Sequence, residues 1–145
     1  MKQASTGQPV NVKVVTEMRN GPQKETMTQN SKGMRYLKGD TTYFRYEEKL
    51  AEEATVDTTV KVSGESVTVI RKGAVTMKQL FRRHEVTAST YRSVHGPMEM
   101  ETKTDMLKYE WNDRKASGKL TLSYMLTLQG EQVGRHKLTF LIEEV

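Results

Sequence analysis

Apolar and polar residues alternate along most of this chain, a pattern typical of strands with one buried and one wetted face. The clearest run places five apolar residues on one side of a strand: Leu120, Leu122, Tyr124, Leu126 and Leu128. The same period of two recurs over residues 10–18, 56–62 and 138–142. The segment YEEKLAEEAT, 46–55, has a weak helical pattern. We treat it as a loop with at most one helical turn, because so short a helix is marginal.

Turn-forming residues separate these runs at short intervals. They occur as NGP, KGD, SGES, KG, HGP, NDRKASG and QGE, beginning at residues 20, 38, 63, 72, 95, 112 and 129. Strands joined by such turns predict an antiparallel meander. We therefore predict an all-β fold, a single antiparallel up-and-down β-barrel of about eight to ten strands. It spans residues 1–145, with a flexible N-terminus over about residues 1–8.

One predicted strand changes parity along its length. Its apolar residues lie at even positions before residue 106, as in Met98 and Met100, and at odd positions after it, as in Leu107 and Tyr109. A slip of one residue exchanges the two faces of a strand. We therefore predict a long strand over about 98–111 that contains a bulge or sharp bend near Asp105–Met106.

The stretch YRSVHGPMEMET, 91–102, places His95 close to Glu99 and Glu101, so these residues form either an acid/base site or the corner of a hairpin. The two glutamates share the charged parity of the strand, which should face water. Gly96 and Pro97 are turn and strand-start residues. The pattern favours the corner.

Composition excludes several classes of chemistry. The chain has no cysteine, which excludes disulfides, thiolate catalysis and cysteine-bound zinc. Its three histidines lie on separate elements without ligand spacing, and no phosphate-binding glycine motif occurs. The first ten residues contain no apolar run and no segment reaches about 18 consecutive apolar residues, so we expect neither a signal peptide nor a membrane-spanning helix. We expect a cytoplasmic protein with no cofactor, no bound metal and no membrane partner.

The net charge of +5 is unevenly distributed. Residues 71–95 hold six basic side chains and one acid, whereas residues 47–65 hold six acids and two lysines. A basic segment with interleaved Phe81 and Tyr91 resembles a nucleic-acid surface. However, Phe81 is in phase with core positions, so a solvated basic face is favoured over nucleic-acid binding.

Two inward charges are the most informative polar features. Glu48 shares the parity of Phe44, and Arg71 shares that of Val69, so both should point into the barrel. An isolated buried charge is costly and a paired one is tolerated. We predict that Glu48 and Arg71 meet, with Tyr46 or Tyr124 as hydrogen-bond partner; the alternative is that both charges reach water at strand ends.

Four motifs resemble the YwiB-like family of bacterial proteins: YEE at 46–48, RKGAVTMKQLF at 71–81, Tyr91 with His95-Gly96, and LSYMLTLQGEQVG at 122–134. The resemblance covers the chain from about residue 9. It implies a lipocalin-like, or calycin-like, β-barrel and supplies no catalytic residue. The family usually has Thr-Pro-Tyr-Gly where this chain has Ser-Val-His-Gly at 93–96, which argues against an essential role for His95.

A barrel of this size is either filled by side chains or holds one small ligand. We expect a non-enzymatic barrel that binds a small apolar or anionic molecule, with Arg71 holding the anion. The expected ligand-binding residues are Tyr46, Glu48, Arg71, Met77 and Tyr124. One alternative is a small enzyme with Glu48 as general acid or base. Another is an interaction module or homodimer that uses the charged faces.

Overall fold

The computed structural model describes residues 7–50 and 54–145, and ten strands account for most of this part of the chain. In chain order they are β1 (Gln8–Asn20), β2 (Gln23–Lys38), β3 (Thr41–Lys49), β4 (Thr55–Ser63), β5 (Ser66–Gly73), β6 (Thr76–Arg82), β7 (Val86–Ser93), β8 (Gly96–Asn112), β9 (Ser117–Leu128) and β10 (Glu131–Glu144). In the two described ranges there is no helix that is long and apolar enough to cross a membrane.

The strands form one closed antiparallel barrel. Each strand pairs with the next along the chain, and β1 pairs with β10 to close the sheet. The closing ladder runs from Val10 opposite Glu144 to Arg19 opposite Arg135. Closure removes the exposed sheet edges that would otherwise pair with other chains. The predicted all-β meander is confirmed, at ten strands.

Three details of the prediction need correction. Strands β2 and β7 were not predicted, because their inward positions carry mostly polar or small residues. The loop expected over 46–55 is wrong at both of its ends, since Tyr46–Lys49 continues β3 and Thr55 begins β4; residues 51–53 lie outside the described part. Gln8 already belongs to β1, and residues 1–6 lie outside the described part.

The bulge predicted in the long strand is confirmed. Thr104 pairs with Tyr124, but Met106 pairs with Ser123, so Asp105 is the extra residue of β8. Thr104 lies inside the barrel before the bulge, and Leu107 lies inside after it. Arg135 of β10 donates a hydrogen bond to the Asp105 carboxylate and holds the bulge from outside.

One end of the barrel is filled by side chains. The fully buried residues there come from seven strands: Val10, Val12, Phe44, Val60, Val67, Phe81, Leu120, Leu122 and Ile142. Trp111 covers this end, with the Arg35 guanidinium 3.6 Å from the centre of its ring. Arg35 also forms an ion pair of 3.6 Å with Glu144, which ties β2 to β10. The packing closes the barrel at this end.

Candidate functional site

The opposite half of the barrel contains a cavity of about 800 Å³. It lies toward the end that carries the β1–β2, β5–β6 and β9–β10 connections, where the inward side chains become progressively less buried. On β9, for example, Leu122 is fully buried, whereas Leu126 and Leu128 are only partly buried. All five residues predicted to bind a ligand line this cavity: Tyr46, Glu48, Arg71, Met77 and Tyr124. Their part in binding stays a prediction.

An ion pair crosses the inner wall of the cavity. Arg71 Nε donates to Glu48 Oε2 over 3.1 Å, and Arg71 Nη2 donates to Glu48 Oε1 over 3.2 Å. The side chains of Arg71 and Glu48 are only 21% and 13% exposed, so water screens the pair weakly. The predicted meeting of the two charges is confirmed, and the two parallel hydrogen bonds fix the plane of the guanidinium.

Strand register explains why residues so far apart in sequence meet. Tyr46 of β3 lies opposite Thr58 of β4, Thr58 lies opposite Arg71 of β5, and Arg71 lies opposite Met77 of β6. Thr58 therefore stands between the two charges, and its hydroxyl donates to Glu48 Oε2. Three hydrogen bonds thus reach the Glu48 carboxylate and occupy three of its about four acceptor positions.

The two tyrosines take a different role from the one predicted. Among the described residues, Thr58 and Arg71 donate to Glu48, and neither Tyr46 nor Tyr124 hydrogen-bonds to the pair. Burial raises the pKa of both phenols, and the Glu48 charge raises that of Tyr46 further, against the opposing effect of Arg71. Both phenols therefore keep their protons at ordinary pH and present O–H groups near the pair.

A buried hydrogen-bonded pair lies beside Tyr124. Gln79 Nε2 donates to Thr102 Oγ1 over 2.8 Å, which links β6 to β8 across the interior. The Gln79 amide also interacts with the Tyr124 hydroxyl. With Thr58, these groups make a polar belt inside the barrel, which we define as Glu48, Thr58, Arg71, Gln79, Thr102 and Tyr124.

His136 of β10 points inward, in phase with Leu138. Its ring stacks on Tyr124 with 5.3 Å between centroids, and its Nδ1 lies 3.3 Å from the Gly134 carbonyl oxygen. Burial lowers the pKa of His136, and the contact with Gly134 opposes this shift in part. Within residues 7–50 and 54–145, no three histidine or carboxylate side chains cluster as metal ligands would.

The stretch around His95 is a hairpin corner, as the pattern favoured. His95 lies in the exposed turn between β7 and β8, where its N–H donates to Ser93 Oγ over 3.2 Å. Glu99 and Glu101 point outward from β8 and are exposed. The structure therefore does not bring these three side chains together as an acid/base site.

The charged segments occupy neighbouring strands on the outer surface. Asp57 of β4 lies opposite Lys72 of β5, and Arg83 forms an ion pair of 3.8 Å with Glu65. The aromatic residues that suggested stacking on nucleic acid, Phe81 and Tyr91, point inward. Two of the basic residues of segment 71–95, Lys72 and Arg83, thus lie next to acids of the same chain.

Several lining residues were missed at the sequence level, although the alternation contained the signal. Thr58 is in phase with Val56 and Val60, and Gln79 is in phase with Met77 and Phe81. Their positions were recognisable as inward, but their partners depend on register. Five of the nine methionines also line the cavity: Met18, Met27, Met77, Met98 and Met100.

Comparison with known proteins agrees with this architecture. The family described as "Domain of unknown function (DUF1934)" matches residues 12–140. The "Uncharacterized beta-barrel protein YwiB" of Bacillus subtilis (strain 168) is 29% identical over 135 residues, which cover 93% of each chain. The crystal structure of the ywiB protein from Bacillus subtilis superposes with a TM-score of 0.86 at 25% identity, covering 98% of this chain and 95% of that one.

Proposed function

We propose that this chain, which belongs to the DUF1934 family, is a non-enzymatic barrel that binds one small, partly apolar molecule in its cavity. The observation that carries the proposal is the cavity itself. Its volume of about 800 Å³ lies within the usual range of about 300–1,000 Å³ for small-molecule sites. A cytoplasmic location and a likeness to lipocalin-like binding barrels belong to the same proposal.

The composition of the cavity wall supports binding of an apolar body. Methionine side chains are flexible and polarisable and adapt to varied apolar ligands. Leu126, Leu138 and Phe140 add branched and aromatic surface next to them. A few polar groups, those of the polar belt, are available to orient the ligand, as is common in small-molecule sites.

The state of Glu48 supports binding rather than catalysis. A general base must reach a substrate proton with a free acceptor. Here hydrogen bonds from Thr58 and Arg71 occupy three of the about four acceptor positions of the carboxylate. The polar belt is therefore better suited to recognition than to proton transfer.

Filling the cavity should abolish binding. Leu126 faces the cavity from β9, and its neighbour Met125 lies on the opposite face of the same strand. We expect Leu126→Trp to lose the fluorescence increase of the neutral dye Nile red, because the indole occupies the cavity. Met125→Trp should retain it. Circular dichroism of both variants tests that the barrel is folded.

Native mass spectrometry of the gently purified protein is the complementary measurement. A discrete additional mass that is lost on denaturation, and is absent from Leu126→Trp, supports the proposal. Equal dye fluorescence in wild type and Leu126→Trp, together with a bare protein mass, would overturn it.

A further inference from the structure

We propose that the ligand carries an uncharged head group that accepts hydrogen bonds, such as an amide or ester carbonyl, and that this head lies at Arg71 with the apolar body toward the methionine-lined mouth. This inference rests on the proposed function and specifies its ligand class. It replaces the anion expected from the sequence by a neutral acceptor.

Hydrogen-bond donors are in excess at the inner wall of the cavity. A guanidinium has five N–H groups, and Glu48 accepts from Nε and from one N–H of Nη2. The remaining three N–H groups of Arg71 have no acceptor among the described side chains. The Arg71 side chain is 21% exposed and lines the cavity, so these N–H groups are accessible to a ligand acceptor, which would take the place of water there.

The net charge of the polar belt excludes a simple anion site. Glu48 already neutralises Arg71 through two hydrogen bonds, so the pair carries no net charge. A bound carboxylate would bring a second negative charge close to Glu48, in a region where water screens weakly. Burying a charge that lacks its own counter-ion is expensive, whereas a carbonyl oxygen uses the same donors without that cost.

The tyrosines add donors of the same kind. Tyr46 and Tyr124 are 8% and 5% exposed, line the cavity and lie near Arg71. Because burial keeps both phenols protonated, each O–H group is available to a ligand oxygen. The set of donors therefore matches one acceptor-rich, uncharged group.

The direction of the ligand follows from the polarity of the strands toward the mouth. On β9 the inward residues change from Tyr124 in the polar belt to Leu126 and Leu128. On β8 they change from Thr102 to Met100 and Met98. Four residues of strand span about 13 Å, or about 10 Å of depth at a usual barrel tilt. The apolar body of the ligand therefore occupies the outer part of the cavity.

Lys49, a cation at the mouth, does not alter this assignment. Lys49 lines the cavity at the end of β3, but it is exposed to water. Water and salt screen an exposed ammonium, so it adds little to the recognition of a buried head group.

The test compares decanamide with decanoate, which share one alkyl chain, by displacement of Nile red from the full chain at pH 8. We expect decanamide to bind at least about tenfold more tightly than decanoate, a difference of about 1.4 kcal/mol. Decanoate should bind more tightly as the pH falls and its carboxylate becomes neutral.

Glu48→Gln provides the decisive variant, because it leaves Arg71 as an unneutralised cation. This substitution should reverse the preference and make decanoate the tighter ligand. Glu47→Gln is the matched control: Glu47 is the neighbouring residue, is exposed on the outer face and should leave the preference for decanamide unchanged.

Tighter binding of decanoate by the wild-type protein would overturn the inference and restore the anion site. If Nile red binds in a Leu126→Trp-sensitive way but neither compound displaces it, the head-group assignment fails and the binding function survives. If nothing binds in the cavity, both fail. Should Glu48→Gln not fold, the wild-type ratio and its pH dependence decide the inference alone.

Discussion

At the residue scale, Glu48 and Arg71 are tolerated inside the barrel because each supplies what the other needs. The carboxylate accepts two hydrogen bonds from the guanidinium and one from Thr58. Removal of one charge would leave the other buried and uncompensated, which is more costly than removal of both. For this reason, a variant that lacks one of the two charges must be shown to fold before its binding is interpreted.

His136 makes the stability of the barrel depend on pH. Its ordinary pKa is near 6.5 and burial lowers it in the folded state, so the unfolded chain binds the proton more readily. Protonation of His136 therefore lowers the free energy of unfolding as the pH falls below about 6.5. Above that pH the ring is neutral in both states, and its titration does not affect stability. Urea unfolding at a series of pH values measures this dependence.

His136→Phe should remove that part of the pH dependence, because the variant keeps the stacking on Tyr124 without a titrating ring. His95→Gln, in an exposed turn, serves as the control and should retain the wild-type profile. An identical fall in stability between pH 7 and pH 5 in wild type and His136→Phe would show that the prediction is wrong.

At the element scale, two bulges adapt long strands to the curvature of the barrel. Asp105 is the extra residue in β8, and Val133 is the extra residue in β10, since Gln132 pairs with Thr127 and Gly134 with Leu126. Both bulges lie against β9. The extra residue allows the apolar residues before and after the bulge to face the interior. In a regular ladder through the same sequence, one of the two halves would face outward.

Gly134 is required by the second bulge. Its φ of +119° is unfavourable for other residues, and a Cβ there would lie 2.4 Å from the Arg19 carbonyl oxygen. Gly21 also has a positive φ, +61°, but a Cβ would meet nothing within 4 Å. We expect Gly21→Ala to cost about 1 kcal/mol of unfolding free energy.

Gly134→Ala should cost distinctly more than Gly21→Ala, because β1 must move away to relieve the clash. Urea unfolding of both variants beside wild type gives the two values. Equal losses of stability would mean that β1 and β10 separate at no cost and that the close approach is not required.

The two strands that were not predicted, β2 and β7, both have polar or small residues on their inward face. Strand β2 directs Gln29, Ser31 and Gly33 inward, and β7 directs Thr87 and Ser89 inward. Period-two alternation is visible only when one face is apolar, and these strands form parts of the wall where the inner face is polar or small. The turn before β7 was not recognised either, because its residue with a positive φ, of +67°, is His84 rather than a glycine.

At the scale of the whole molecule, the β4–β5 pairing places the acidic and basic segments side by side in the wall of the barrel. Asp57 faces Lys72 within the wall, and Glu65 meets Arg83 at one end. Because these opposite charges are neighbours within one barrel, we expect size-exclusion elution to be the same in low and high salt. Glu65→Lys should not change that result. Association that appears only in low salt would instead favour the homodimer.

The sequence by itself determined the strand periodicity, the long bulged strand and the inward direction of Glu48 and Arg71. These features are local, because alternation reports which face of a strand is buried. The tertiary structure alone decided the closure between β1 and β10, the choice of Thr58 as the third partner of Glu48, and the cavity. Those depend on register and shear, which relate residues on different strands and leave no periodic trace in a single chain.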